Sequence, residues 1–260
     1  MTGANAGESH LLSRLRGGLI VSCQAPAGHP MRAPSVIARL ARAAAQGGAA
    51  GLRVNTPADV RAVKAVTDLP VIGIHKVRRG SRQLITPWLR LAAKLSAAGA
   101  DIVGVEATAD LEPGSRQAAG LVARIRQELE VPVMADIASL EEGLAAWDAG
   151  ADLVATTLSG YTGAASRISA NGAGSLSAET EGPDLDLVAA LHARQVRVVG
   201  EGRYSTPDQV AGAFACGAFA VVVGTAITDP VAITRRFASA TPATSTVGEI
   251  VTESAAGVAR

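Results

Sequence analysis

Gly99-Ala100-Asp101-Ile102-Val103-Gly104-Val105-Glu106 is the stretch whose pattern recurs along the chain. A Gly-Ala pair stops a helical segment, a short run rich in Ile and Val follows, and a charged residue ends the run. The same pair recurs as Gly48-Ala49, Gly150-Ala151 and Gly217-Ala218, ahead of the apolar runs Gly51–Val54, Leu153–Ala155 and Ala220–Val223. The first two intervals between pairs are 51 residues and the third is 67.

A second set of runs is interleaved with the first: Pro70–Ile74, Val131–Met134 and Val196–Val199, with Gly18–Ser22 at the start. Each is short, apolar and bounded by Gly or Pro, which is the pattern of a strand buried on both faces. Between them, Pro34–Gln46, Ser115–Leu129, Asp184–Ala193 and Pro207–Cys216 repeat their apolar residues at helical spacing. Gly47, Gly99 and Gly150 stand where helices end, and Asp229-Pro230 reads as the cap and first turn of a last helix. Strands alternating with amphipathic helices imply a parallel sheet. Eight such units in 260 residues imply a single-domain α/β fold closed as a (β/α)8 TIM barrel.

Three stretches depart from the pattern. Residues 1–10 are expected to be a flexible leader, and 241–260 a tail that is disordered in part. Between them the barrel spans 11–240, interrupted by a small-residue insertion over 163–182 that accounts for the longer third interval.

Composition bounds the function. A net charge of +1 with no basic block gives no electrostatic footprint for nucleic acid, and 3% aromatics leave no surface for stacking bases. No run is long and apolar enough to cross a membrane, and the first residues lack the pattern of a secretory signal, so no membrane partner and a cytoplasmic location are expected. Cys23 and Cys216 are far apart and read as buried free thiols. No group of His, Cys, Asp and Glu has metal-ligand spacing, so no metal is expected.

In barrels of this kind chemistry sits where the strands end. The run ends are Gln24, Arg53, Lys76, Glu106, Asp136, Thr157, Glu201 and Gly224-Thr225. Lys76, partly desolvated and close to Arg53, would have a lowered pKa suited to a base; the competing reading is an ion pair with Asp136 or Glu106. Glu201 is placed to serve as a second acid or base, or to orient Arg203. Asp136 is placed to bind sugar hydroxyls or to orient Lys76. His75 should point toward the helix layer. Gly202, Arg203, Gly224 and Thr225 offer donors for a phosphate at strands seven and eight.

These residues resemble the N-acetylmannosamine-6-phosphate 2-epimerase family. The resemblance runs from about Leu12 to Phe237 and is carried by Gly18–Gln24, Leu69–Lys76, Ile85-Thr86-Pro87, Met134–Ile137, Thr156–Thr162, Glu201–Pro207 and Val223–Thr228. It implies a cofactor-free enzyme acting on a sugar phosphate in amino-sugar and sialic-acid catabolism, with a homodimer as the default assembly. It implies Lys76 and Glu201 as catalytic residues. Gln24, Arg53, Asp136, Thr157 and Tyr161 are then the substrate-binding set. The departures are Glu106 where the family has Asp, and Asp110 and Glu112 where it has arginines. Two other readings stay open: a sugar-phosphate lyase or aldolase that uses Lys76 covalently, and a sugar-phosphate-binding protein without turnover.

Overall fold

A computed structural model describes residues 9–80, 82–109, 116–161 and 182–242. The leader up to residue 8, the insertion over 163–181, the tail from 243, and Asp110 and Glu112 lie outside the described residues.

Eight strands form the barrel wall: β1 (Leu19–Cys23), β2 (Gly51–Asn55), β3 (Val71–Ile74), β6 (Ile102–Glu106), β7 (Val133–Asp136), β8 (Leu153–Ala155), β9 (Val198–Glu201) and β10 (Ala220–Val223). They close in the order β1-β10-β9-β8-β7-β6-β3-β2. Every wall pairing is parallel. The helices that return the chain include α2 (Pro34–Gln46), α3 (Pro57–Lys64), α4 (Leu89–Ala97), α5 (Arg116–Leu129), α6 (Leu140–Asp148), α7 (Leu185–His192), α8 (Pro207–Ala215) and α10 (Pro230–Ala238).

The Gly-Ala repeat has a local cause. Gly99 and Gly150 both adopt φ +96, a left-handed ending that side chains resist. The Asp that follows each pair reaches sideways to an earlier strand: Asp101 Oδ2 accepts from Val71 N at 2.8 Å, and Asp152 Oδ2 accepts from Val133 N at 2.9 Å. These two repeats therefore both stop a helix and cap a neighbouring strand. At the end of α2 it is Gly48, with φ +90, that takes the left-handed conformation; Gly47 is the residue before it, at φ −78.

Strand alternation divides the core into two layers. The inner layer is Ile20, Ile72, Ile102, Met134, Leu153, Val199 and Val222, all buried. Its floor is Leu12 and Leu15 from the first segment, together with Phe219. Ser9 caps the short helix α1 (His10–Ser13) that leads into that floor, so residues 9 and 10 of the expected leader belong to the described structure. The outer layer packs Leu52, Val54, Val71, Val103, Val133, Val154 and Val198 against helix residues such as Ile37, Val60, Leu95, Ile125 and Leu191. Cys23 lies in this outer layer, whereas Cys216 is only half-buried.

One element goes beyond the sequence reading. Lys76 does not end strand three, which stops at Ile74; it opens an antiparallel hairpin of β4 (Lys76–Arg79) and β5 (Arg82–Ile85). Four of the eight barrel helices, α3, α4, α6 and α10, were likewise not delimited from sequence, although the Asp229-Pro230 start of α10 was.

Candidate active site

Two residues beyond several inner-layer side chains, the same face of the strand reaches the mouth of the barrel. Ile20 leads to Ser22 and then Gln24; Met134 leads to Asp136; Val199 leads to Glu201; Val222 leads to Gly224. The ladders hold this order in register, with Ser22 beside Arg53, Glu106 beside Asp136, and Val222 beside Glu201. Gly104 makes room below. A Cβ there would stand 2.6 Å from Ile74 Cγ2 and 3.7 Å from Asp136 Oδ2.

Arg53 is at the centre. Its Nη1 donates to Asp136 Oδ1 at 2.8 Å and its Nη2 to Asp136 Oδ2 at 2.9 Å. Nη1 also donates to Glu201 Oε2. Burial opposes the charge, but the two carboxylates outweigh it and hold the guanidinium firmly protonated. Thr157 Oγ1 donates to Asp136 Oδ1, fixing the carboxylate from the β8 side. Thr156, which the sequence reading did not single out, locks β8 to β9. Its hydroxyl donates to Glu201 O at 2.9 Å and accepts from Glu201 N at 3.1 Å.

Lys76 and Glu201 both depart toward their neutral forms. Burial pushes the Lys76 ammonium below the ordinary lysine range, and the nearby Arg53 charge pushes the same way. Burial raises the Glu201 carboxyl above the ordinary carboxylate range, with Asp136 adding to the rise and Arg53 opposing it. Among the described residues Lys76 makes no salt bridge: Asp136 belongs to Arg53, and Glu106 belongs to Arg82. Asn55, a second residue missed in the sequence, accepts from Lys76 N at 2.9 Å. His75 points away from the mouth as expected and feels Lys94 of α4.

Two buried polar atoms in this cluster have no hydrogen-bond partner among the described residues: Gln24 Oε1 and Arg53 Nε. The amide end of Gln24 is fixed, with Nε2 donating to Ser22 Oγ at 2.7 Å. Buried polar atoms left unpaired are costly in a folded chain, and a polar ligand would satisfy them.

The strand-seven and strand-eight loops lie at the same end. Gly202 at φ +106 and Arg203 at φ +61 form a left-handed turn directly after Glu201. The Arg203 guanidinium donates to Ser159 O at 2.6 Å and to Gly182 O at 2.5 Å, and stands 5.5 Å from the ring centre of the exposed Tyr161. Gly224 caps the short helix α9 (Thr225–Thr228) and lies against Ser22, where a Cβ would come within 3.3 Å of Ser22 Cβ. Thr225 is exposed at the rim. The residues singled out in the sequence thus gather at one mouth, with Tyr161 and Thr225 at its edge.

Fold and mouth together define a (β/α)8 barrel with a buried cluster of charged side chains at the C-terminal ends of its strands. Comparison with known proteins narrows this. Residues 37–243 match the family model described as "Putative N-acetylmannosamine-6-phosphate epimerase". Two proteins named "Putative N-acetylmannosamine-6-phosphate 2-epimerase" are similar over most of their length. The one from Caldanaerobacter subterraneus subsp. tengcongensis is 43% identical, covering 88% of this chain and 93% of its own. The one from Cutibacterium acnes is 42% identical, covering 88% and 96%. The solved N-acetylmannosamine-6-phosphate 2-epimerase of Clostridium perfringens superposes with a TM-score of 0.76 at 34% identity, covering 92% of this chain and 99% of its own. The chain belongs to the N-acetylmannosamine-6-phosphate epimerase family.

Proposed function

We propose that this protein interconverts N-acetylmannosamine 6-phosphate and N-acetylglucosamine 6-phosphate by inverting carbon 2. One observation carries the reading: Lys76 and Glu201 stand at one mouth beside a charged Arg53, and burial shifts each of them toward its neutral form. A neutral amine and a neutral acid are the pair that carbon-acid chemistry near pH 7 needs.

In the open-chain sugar, carbon 1 is an aldehyde. The Lys76 amine takes the carbon-2 proton, and the electron pair moves toward the carbon-1 oxygen as an enolate. Arg53 and the Glu201 acid are placed to stabilise that charge. Delivery of the Glu201 proton to the opposite face of carbon 2 inverts the centre, and proton transfer through solvent restores both groups. No cofactor enters these steps. Asp136, Gln24 Oε1, Thr157 and Tyr161 supply hydrogen-bond partners for the sugar. Gly202, Arg203, Gly224 and Thr225 hold the phosphate, with glycines letting backbone N–H groups approach the anion. Loss of Arg203 as alanine should weaken substrate binding by ~1.5–3 kcal/mol. The resemblance also supports a homodimer acting in the cytoplasm, in amino-sugar and sialic-acid breakdown. Among the described residues, no helix is long and apolar enough to cross a membrane.

The test is incubation with N-acetylmannosamine 6-phosphate in deuterated water, followed by NMR at carbon 2. Epimerisation with deuterium uptake is expected, and Lys76→Ala should abolish it while the protein stays folded. Binding without exchange would defeat the proposal, and borohydride trapping of substrate on Lys76 would favour a lyase instead.

A further inference from the structure

Lys76 does not stand on the barrel wall. It heads the hairpin of β4 and β5, whose register sets Lys76 opposite Ile85 and whose turn passes through Gly80 at φ +61. A lone two-stranded hairpin is marginal in water, so its place over the mouth depends on what ties it down. At its root, Thr86 N donates to His75 O and His75 N to Thr86 Oγ1, both at 2.9 Å, and Asn55 Oδ1 accepts from Lys76 N. Leu84 of β5 packs into the outer layer, and a further polar tie among the described residues is one carboxylate.

Glu106 ends β6 and is 0% exposed. Its Oε2 accepts from Ile85 N at 3.1 Å, the residue directly across from Lys76. Its Oε1 accepts from Arg82 Nη2 at 2.7 Å, near the turn, and from Thr108 Oγ1 at 2.8 Å, which steadies the carboxylate from its own strand end. Both ends of β5 therefore hang from a single side chain of the barrel wall.

We propose that Glu106 is a positioning residue for the reaction: it suspends the Lys76 hairpin from β6 and so fixes where the Lys76 amine sits against Arg53 and Glu201. This rests on the reading of Lys76 as the base. Glu106 itself pairs with the hairpin and not with Lys76. A glutamine in its place keeps the shape but offers only one acceptor oxygen. Its NH2 would then face either the Ile85 N–H or the Arg82 guanidinium, donor against donor, and one tie is lost.

The chain has three lysines, Lys64, Lys76 and Lys94, so lysine labelled with 13C at Cε gives a spectrum simple enough to titrate, and Lys76→Arg assigns the signal. The comparison is wild type against Glu106→Gln and Arg82→Gln, with kcat, KM and thermal unfolding measured on the same samples. In Glu106→Gln, kcat should fall roughly 10- to 100-fold with little change in KM, as for a misplaced catalytic group. The Lys76 midpoint should rise toward the ordinary lysine value as the hairpin relaxes into water, while Lys64 and Lys94 hold still. Arg82→Gln, at a half-buried side chain, should show the same direction more weakly without loss of fold. Glu106→Asp should recover part of the effect. Folded variants with wild-type kcat and an unmoved Lys76 signal would overturn the proposal. A wild type that binds the sugar phosphate but does not turn it over would defeat the epimerase reading, while the Lys76 titration would still decide the tether.

Discussion

Arg53 grips Asp136 with both arms of its guanidinium, at 2.8 and 2.9 Å, across a pair whose side chains are 1% and 0% exposed. The two residues come from strands on different sides of the mouth, 83 positions apart in sequence. Removing Asp136 leaves the buried guanidinium with Glu201 as its one carboxylate and Nη2 without its acceptor. Asp136→Ala should therefore cost about 1–3 kcal/mol of stability, as a buried donor left unpaired does. The double variant Arg53→Met with Asp136→Leu should be more stable than either single variant although inactive. Chemical denaturation measures all three, and a stable Asp136→Ala would contradict the pairing.

The rate should follow a bell in pH. The rising limb is loss of the Lys76 proton, at a pH below the ordinary lysine value. The falling limb is loss of the Glu201 proton, at a pH above the ordinary carboxylate value. The two groups sense each other, so both limbs belong to the pair. In Glu201→Gln the falling limb should disappear along with most of the activity. A profile of kcat/KM against pH checks this.

Stability should carry the same signature with opposite signs for the two groups. Between the lowered value of folded Lys76 and the ordinary 10.5, the unfolded chain holds more protons, so stability rises with pH there. Between 4.5 and the raised value of folded Glu201, the folded chain holds more protons, so stability falls as pH rises. Lys76→Met should flatten the first slope and Glu201→Gln the second, as read from urea midpoints across pH.

Gly104→Ala should disturb both core and site. The new methyl would meet Ile74 Cγ2 at 2.6 Å inside a closed barrel, where little can give. A loss of about 1–3 kcal/mol is expected for this overpacking, together with lower activity as Asp136 is pushed. Calorimetry and turnover on the same sample test it.

Thr206→Ala should separate fold from function. Thr206 and Gln209 form a reciprocal capping box at the start of α8, with Gln209 N donating to Thr206 Oγ1 at 3.3 Å and Thr206 N to Gln209 Oε1 at 3.2 Å. Loss of the cap should cost about 1 kcal/mol and leave kcat unchanged.

That cap shows what the sequence made legible. The string Glu201 to Pro207 looks like one motif, but its first half shapes the mouth and its second half starts a helix. The barrel was readable because a buried parallel strand must be short and apolar, and a Gly-Ala pair marks where a helix stops and such a strand begins. Gln24, Asp136 and Glu201 were readable because they break an apolar run at its end; Arg53, read as another run end, instead stands inside β2, which continues to Asn55. The hairpin was hidden: Lys76 to Gln83 is polar and short, its strands pair only with each other, and just Leu84 and Ile85 at its end are buried. Asn55 and Thr156 were hidden because their partners are backbone groups brought near only by closure. Arg203 was read as a donor to phosphate, and its bonds to the carbonyls of Ser159 and Gly182 could not be seen before the loops were placed.

The two-residue step from the inner layer to the mouth sets what changes the barrel can absorb. Losing one residue inside a wall strand would turn its mouth side chain to the helices and bring a helix-facing one inward, a swap no neighbouring substitution repairs. Losing two would keep the faces but sink the group by one storey, into the apolar packing below. Changes of length are thus confined to the connections above and below the wall.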